Sequence, residues 1–429
     1  MIVFKHDNAD IDKTKLSITA KKLTSEIQKI AHADYSDERA SAYVPLDEDM
    51  IQIVDAAVTL KKKLCPELLV VIGIGGSNLG TIAVHEAING KHYNLTGKPE
   101  VLFADTIDPD LLFVIKKRMQ YYLRQNKRVL LNVITKSGST TETIANFEVL
   151  LNVLKRHRKD ANKYVVVTTS KGNKLWNLAA DNGWSLLEIP DNVGGRYSVF
   201  TPVGLFPLGM LGINIRKLLA GARDMREKCI QEDTRKNPAA LGASLIFLHA
   251  KKRNIYDHFL FANDLESLGK WYRQLMAESI GKEHNKQGKK VSKGITPTVS
   301  IGSTDLHSMA QLYLGGPHDK FTNFVTVHFD HNIKVPTYSS FDNLVSDLQG
   351  KEYSAIMRAI FEGVKKAFKK DKRPFTETRL DTKSEETIGA LMQLKMIEMM
   401  LLGKLMNVNP FNQPSVERYK KETRKILAK

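Results

Sequence analysis

Cysteine is almost missing from this chain of 429 residues: Cys65 and Cys229 are the only two, far apart in sequence. That excludes a disulfide framework and suits a reducing compartment, so a cytoplasmic protein is expected. Long apolar runs are missing as well. No stretch approaches the roughly 20 residues needed to span a bilayer, and no membrane partner is expected. The opening segment, MIVFKHDNADIDKTK, lacks a basic run leading into an apolar core, so no secretory signal is expected. Acidic charge is in deficit, with 64 Lys and Arg against 47 Asp and Glu, a formal charge of +17. The basic residues are spread along the chain, however. Their densest group, Lys365-Lys366 with Lys369-Lys370, reads as one solvated helix face. With no zinc-finger spacing and no RNP or basic-zipper pattern, nucleic acid is not expected as a partner, and the charge suits anionic metabolites instead. A G-x-S-x-G elbow is absent, which removes that route to a serine hydrolase. His328 and His331 are the wrong distance apart for one strand face or a zincin helix, so no metal is expected.

What the chain does contain is enough apolar residue, 42%, for a large core and two domains. Residues 1–60 read as mostly helical. Beyond them, apolar runs at Leu68–Ile72, Val101–Ala104, Val129–Ile134, Tyr164–Thr168 and Leu186–Ile189 alternate with helical periodicity. That alternation predicts a parallel sheet covered on both faces, with ligands at the carboxyl ends of its strands. A second, less regular α/β pattern follows from Ile215 onward, its lysine- and glycine-rich stretch 281–294 reading as a surface loop.

One strand-to-helix turn stands out. Thr135 to Thr143 reads TKSGSTTET, five of whose hydroxyls (Thr135, Ser137, Ser139, Thr140, Thr141) sit with Lys136 ahead of a helix. Unpaired N–H groups at a helix start, together with hydroxyl donors, make a seat for a phosphate monoester, and Gly138 lets backbone approach the anion. An ordinary N-cap is the alternative, but it needs one hydroxyl. A second turn, GIGGSNLG at 73–80, departs from a dinucleotide fingerprint: Asn78 replaces the third glycine and no acidic residue stands about 20 residues on. A smaller polar ligand at Gly76 and Ser77, or a tight turn with no ligand, remains. Arg196 follows two glycines in a loop, where it either faces a ligand or pairs with a surface carboxylate. Gln274 and Glu278 share one helix face at i and i+4, a spacing unremarkable by itself. His307 near Asp305 reads as a capped core histidine rather than a metal ligand.

Taken together in order, GIGGSNLG, TKSGSTTET, NVGGRYSVFTPVGL (192–205), ES-x-GK (278–282), STDLHSMAQ (303–311) and NPFNQPSVERYK (409–420) resemble the glucose-6-phosphate isomerase family, from about residue 70 to the end. Ser415 departs from the Gly or Ala usual in that family, and the stretch 282–293 is unusually rich in lysine. The resemblance implies two SIS-type α/β domains, each a parallel sheet flanked by helices in three layers. It places a helical N-terminal extension at 1–60, the first domain at 61–200, the second at 201–405, and a C-terminal segment and helix at 406–429. Reversible isomerisation of glucose 6-phosphate to fructose 6-phosphate is the implied activity, with no cofactor. Gly76, Ser77, Thr135, Lys136, Ser137, Gly138, Ser139, Thr140 and Gln274 are implied to hold the sugar phosphate. Glu278 matches the proton-transferring base, Arg196 the stabiliser of the intermediate, His307 the ring-opening group and Lys420 its helper. A homodimer is implied, with His307 supplied across the interface. The rival from another class is a SIS-type sugar-phosphate sensor, which needs the phosphate seat but neither Glu278 nor Lys420.

Overall fold

The computed structural model describes residues 1–341 and 343–428. Its strands, in chain order, are β1 (Ile2–Lys5), β2 (Leu68–Ile72), β3 (Glu100–Ala104), β4 (Val129–Ile134), β5 (Val165–Thr169), β6 (Ser185–Glu188), β7 (Ile255–Leu260), β8 (Lys282–His284), β9 (Lys290–Lys293), β10 (Thr296–Ile301), β11 (Lys320–Val327) and β12 (Phe375–Leu380). Every residue of β2 and of β4 is buried. Their sequences show no polar alternation because helices cover both faces of a parallel sheet.

The first sheet runs in the order β3-β2-β4-β5-β6 and is parallel throughout. Helices at Leu79–Asn89, Pro109–Arg124, Thr141–His157 and Lys174–Asp181 connect its strands. From β2 the chain crosses outward to β3, and from β4 it crosses the other way to β5. The strand order therefore reverses between β2 and β4, whose outgoing loops lie side by side at the carboxyl edge. Such a crevice is where open α/β sheets take up ligands.

The second sheet has the order β1-β12-β11-β7-β10, parallel except for β1. Beneath it Phe259, Phe261, Phe324, Phe361, Phe368 and Phe375 form an aromatic core shared with the helix Tyr353–Lys370. Large aromatic area is what anchors that helix to the sheet. The helix Pro202–Met210 is wholly buried, and the long helix Glu385–Met406 packs along Ile215–Cys229. Among the described residues no helix is long and apolar enough to cross a membrane.

Three local readings change. The first residues are not helical: Ile2–Lys5 add an antiparallel edge to β12. The lysine-rich stretch after residue 281 is a hairpin of β8 and β9 rather than a plain loop. Lys365 leaves the solvated face expected of its cluster and pairs with Glu362 at 2.8 Å and Glu377 at 3.1 Å.

Candidate active site

The loop after β4 keeps its helix start open. Thr140 occupies the N-cap of Thr141–His157, yet its side chain makes no capping bond. Its hydroxyl instead lies 2.9 Å from the Thr135 hydroxyl and 3.4 Å from that of Ser137. The Ser139 amide and hydroxyl also point to Ser137 Oγ, at 3.3 and 3.4 Å. Hydroxyls that hold one another rather than the helix leave the first N–H groups unclaimed, the arrangement an anion requires. Gly138 has φ +66°, and a Cβ there would meet the Asn173 side chain at 2.6 Å. Asn173 holds the loop from below, donating to the Lys136 carbonyl at 3.1 Å.

Lys136 does not turn toward these hydroxyls. Its ammonium donates to the carbonyls of Asp191 and of Val193, the latter at 3.2 Å. Burial lowers its pKa below the usual lysine value while Asp191 pulls it back up. The side chain thus ties the hydroxyl loop to the arginine loop, a role different from the phosphate contact expected of it.

The glycine turn at 73–80 packs against the same arginine loop. A Cβ on Gly76 would lie 2.2 Å from the carbonyl carbon of Gly195, so only glycine permits this backbone approach. Ser77 stands half-buried beside it. Gly75 faces the Gln274 amide nitrogen. Close packing, then, explains Gly76 independently of any ligand.

Arg196 is buried and its fork is fully used. Nε donates to Ser279 Oγ at 2.8 Å, Nη1 to Glu278 Oε2 at 3.1 Å and to Gln413 Oε1 at 2.9 Å, and Nη2 to the carbonyls of Pro410 and Asn412. The alternative of a surface ion pair is removed by this burial. Glu278 is held at both oxygens, since Gln274 Nε2 donates to Oε1 at 3.0 Å. Among the described residues the buried Gln274 carbonyl oxygen has no hydrogen-bond partner and so can accept from a ligand hydroxyl. A fixed carboxylate beside a permanent cation can move a proton while the cation offsets the oxyanion left behind.

Comparison with known proteins identifies the family. Residues 58–429 match the family model described as phosphoglucose isomerase. A glucose-6-phosphate isomerase of Carboxydothermus hydrogenoformans is 35% identical, over 98% of this chain and 90% of that protein. The chain belongs to the phosphoglucose isomerase family. A glucose-6-phosphate isomerase of Methanocaldococcus jannaschii is also 35% identical, over 83% of each chain. Among solved structures, a hypothetical protein from Thermus thermophilus superposes with a TM-score of 0.90 at 29% identity, covering all of both chains. A glucose-6-phosphate isomerase from Chlamydia trachomatis shares the fold at 18% identity, with a TM-score of 0.80 over all of this chain and 88% of that one.

In this phosphoglucose isomerase family member, Gln274, Glu278 and Arg196 form one chain of contacts with the glycine turn of Gly75 and Gly76 against it, joined to the loop of Thr135 to Thr140 through Lys136. Among the described residues, no hydrogen bond or ion pair joins His307 or Lys420 to them. His307 is exposed at the end of β10, in the turn Thr304–His307, where Asp305 caps the Ile301 amide rather than the imidazole. Lys420 sits on the helix Glu417–Leu427, which buries none of its residues, and pairs with Glu417 at 2.7 Å. Ser415, the departure from the usual family residue, lies in an exposed turn of Pro414–Val416. Reading the residues in isolation missed Gln413, Ser279 and Asn173. Gln413 lies inside the C-terminal motif and Ser279 inside ES-x-GK, so the motifs were a signal; Asn173 is set by contact with a segment 37 residues away and carries none.

Proposed function

We infer that this chain catalyses the reversible isomerisation of D-glucose 6-phosphate to D-fructose 6-phosphate, the aldose–ketose step of glycolysis and gluconeogenesis. The observation that carries the reading is the Glu278–Arg196 pair, set beside the glycine turn and linked to an uncapped, hydroxyl-lined helix start. In the open-chain aldose, Glu278 takes the proton from C2. The C–H electron pair becomes the C1–C2 double bond, and the carbonyl oxygen at C1 becomes the oxyanion of a cis-enediolate. Arg196 offsets that charge without transferring a proton. The hydroxyl proton of O2 passes to O1, Glu278 returns the carbon-bound proton to C1, and the electrons of the C1–C2 double bond and of O2 settle as the C1–H bond and the C2 carbonyl of the ketose. The remote phosphate, gripped by Ser137, Ser139, Thr140 and the loop backbone, fixes the reacting carbons against the carboxylate. Conversion in an assay that couples fructose 6-phosphate or glucose 6-phosphate formation to a reporter enzyme tests the reading; no conversion in either direction refutes it.

The phosphate seat has its own test. Thr140→Ala removes a hydroxyl at the helix start, and one hydrogen bond to a charged group is worth about 1.5–3 kcal/mol. The apparent KM should therefore rise by roughly ten- to a hundred-fold with kcat little changed. An unchanged KM counts against the seat.

The proposed assembly is a homodimer in which His307 opens the sugar ring in the site of the partner, assisted there by Lys420. Mixed chains test this. Co-expressing Glu278→Gln with His307→Ala should restore about a quarter of wild-type activity, because half of the dimers are mixed and one site in each is intact. Activity no higher than that of either variant alone places the histidine in its own chain's site, or out of the reaction. The two free cysteines, Cys65 exposed and Cys229 buried, suit the reducing cytoplasm proposed for it.

A further inference from the structure

We propose that Lys282 is a positioning residue that holds the Glu278 carboxylate and the Arg196 guanidinium in register by closing a ring of contacts around them. The proposal rests on the isomerase reading and adds to it a residue that touches no reacting atom. Lys282 opens β8, one turn beyond Glu278, and is almost wholly buried. Its ammonium donates to the Glu278 carbonyl and, at 2.6 Å, to the carbonyl of Asn412. That same Asn412 carbonyl accepts from Arg196 Nη2 at 3.3 Å, and Arg196 Nη1 reaches the Glu278 carboxylate at 3.1 Å.

The contacts form a closed circuit: from the Glu278 carboxylate to Arg196, to the Asn412 carbonyl, to Lys282, and back to the Glu278 backbone. Two cations share one acceptor, and each grips one end of the same glutamate. A cation at the last turn of a helix also suits the carbonyl end of its dipole, here that of Glu266–Ile280. Opening the circuit frees the end of the helix that carries the base from the segment that seats the arginine. Displacement of a positioned group by about 1 Å can cost on the order of a hundred-fold in rate.

The charged groups facing Lys282 are Arg196 from the arginine turn and Glu278 from the helix; Glu283 beside it is engaged by Arg418. Burial, reinforced by Arg196 and opposed by Glu278, pushes the Lys282 pKa down to about 8. Above that pH the clamp loses its charge. The sign for folding is the opposite: a lysine pKa lowered in the folded state makes proton loss favour the fold between about 8 and 10.5. A fall in turnover there therefore cannot come from Lys282-driven unfolding.

The test is kinetic, with glucose 6-phosphate as substrate and kcat and KM followed from pH 6 to 10 for wild type, Lys282→Met and Lys282→Arg. The clamp predicts an alkaline limb of kcat near pH 8 in wild type. It predicts kcat lower by roughly 10- to 100-fold in Lys282→Met with KM within about threefold. Lys282→Arg, permanently charged, should recover most of kcat and lose the limb. A Lys282→Met kcat within twofold of wild type, or a KM rising in step with the loss, overturns the proposal. Should Lys282→Met not fold, the arginine variant decides alone: a limb unchanged from wild type overturns it. Wild type inactive on the sugar phosphate would reject the isomerase reading and the clamp together, whereas active wild type with an unaffected variant rejects the clamp alone.

Discussion

With Glu278 replaced by glutamine, turnover of glucose 6-phosphate is expected to fall by roughly a hundred- to ten-thousand-fold while KM stays within a small factor, because a positioned base contributes about that much. The substitution preserves shape and most contacts. Glu278 accepts from two donors, Gln274 Nε2 and Arg196 Nη1, and an amide can accept from only one of them at its oxygen. Gln274 offers the remedy. Its own carbonyl oxygen has no partner, so a flip of its amide lets it accept from the new nitrogen. Folding and phosphate binding should survive, leaving the missing proton acceptor as the whole defect. The check is kcat and KM by coupled assay together with a melting curve. Turnover within threefold of wild type would remove Glu278 from the role of base.

Arg196→Lys should do more, and in two ways. The guanidinium spans Ser279, Glu278, Gln413 and the carbonyls of Pro410 and Asn412, contacts that a fork makes and a point charge does not. Lysine keeps the charge but cannot reach all five. Displacement of a preorganised positive charge from beside the developing oxyanion predicts kcat lower by roughly a hundred- to a thousand-fold. Each hydrogen bond lost from the buried fork is worth about 0.5–1.5 kcal/mol net, so the melting midpoint should drop as well. This joint loss separates Arg196 from Glu278, whose exchange is predicted to spare stability. Calorimetry beside the assay checks it; a variant that melts normally and turns over at near-wild-type rate contradicts both roles.

How much of this was legible beforehand varies from place to place, for physical reasons. Leu68–Ile72 and Val129–Ile134 could be read as buried strands because a sheet covered on both faces leaves no polar alternation to confuse with a helix. Ile2–Lys5 could not, since four residues ending in lysine become a strand only by pairing with β12 far along the chain. The β8–β9 hairpin was hidden in the same way by its lysines. Within the site, the hydroxyl loop announced itself through local composition. The inward turn of Lys136 toward Asp191 and Val193, and the fivefold engagement of Arg196, depend on contacts between segments tens to hundreds of residues apart. No local pattern encodes those. His307 and Lys420 were legible only through the resemblance, and among the described residues neither shares a hydrogen bond or ion pair with Glu278.

The central claim, that one end of a sugar phosphate is seated at the uncapped helix start so that Glu278 can work on the other, is tested most directly by a crystal structure of the Glu278→Gln variant with fructose 6-phosphate. The account predicts density for the phosphate among Ser137, Ser139 and Thr140, with C1 and C2 within about 3.5 Å of the residue 278 side chain. A phosphate seated away from that loop, or sugar carbons out of reach of residue 278, would contradict it.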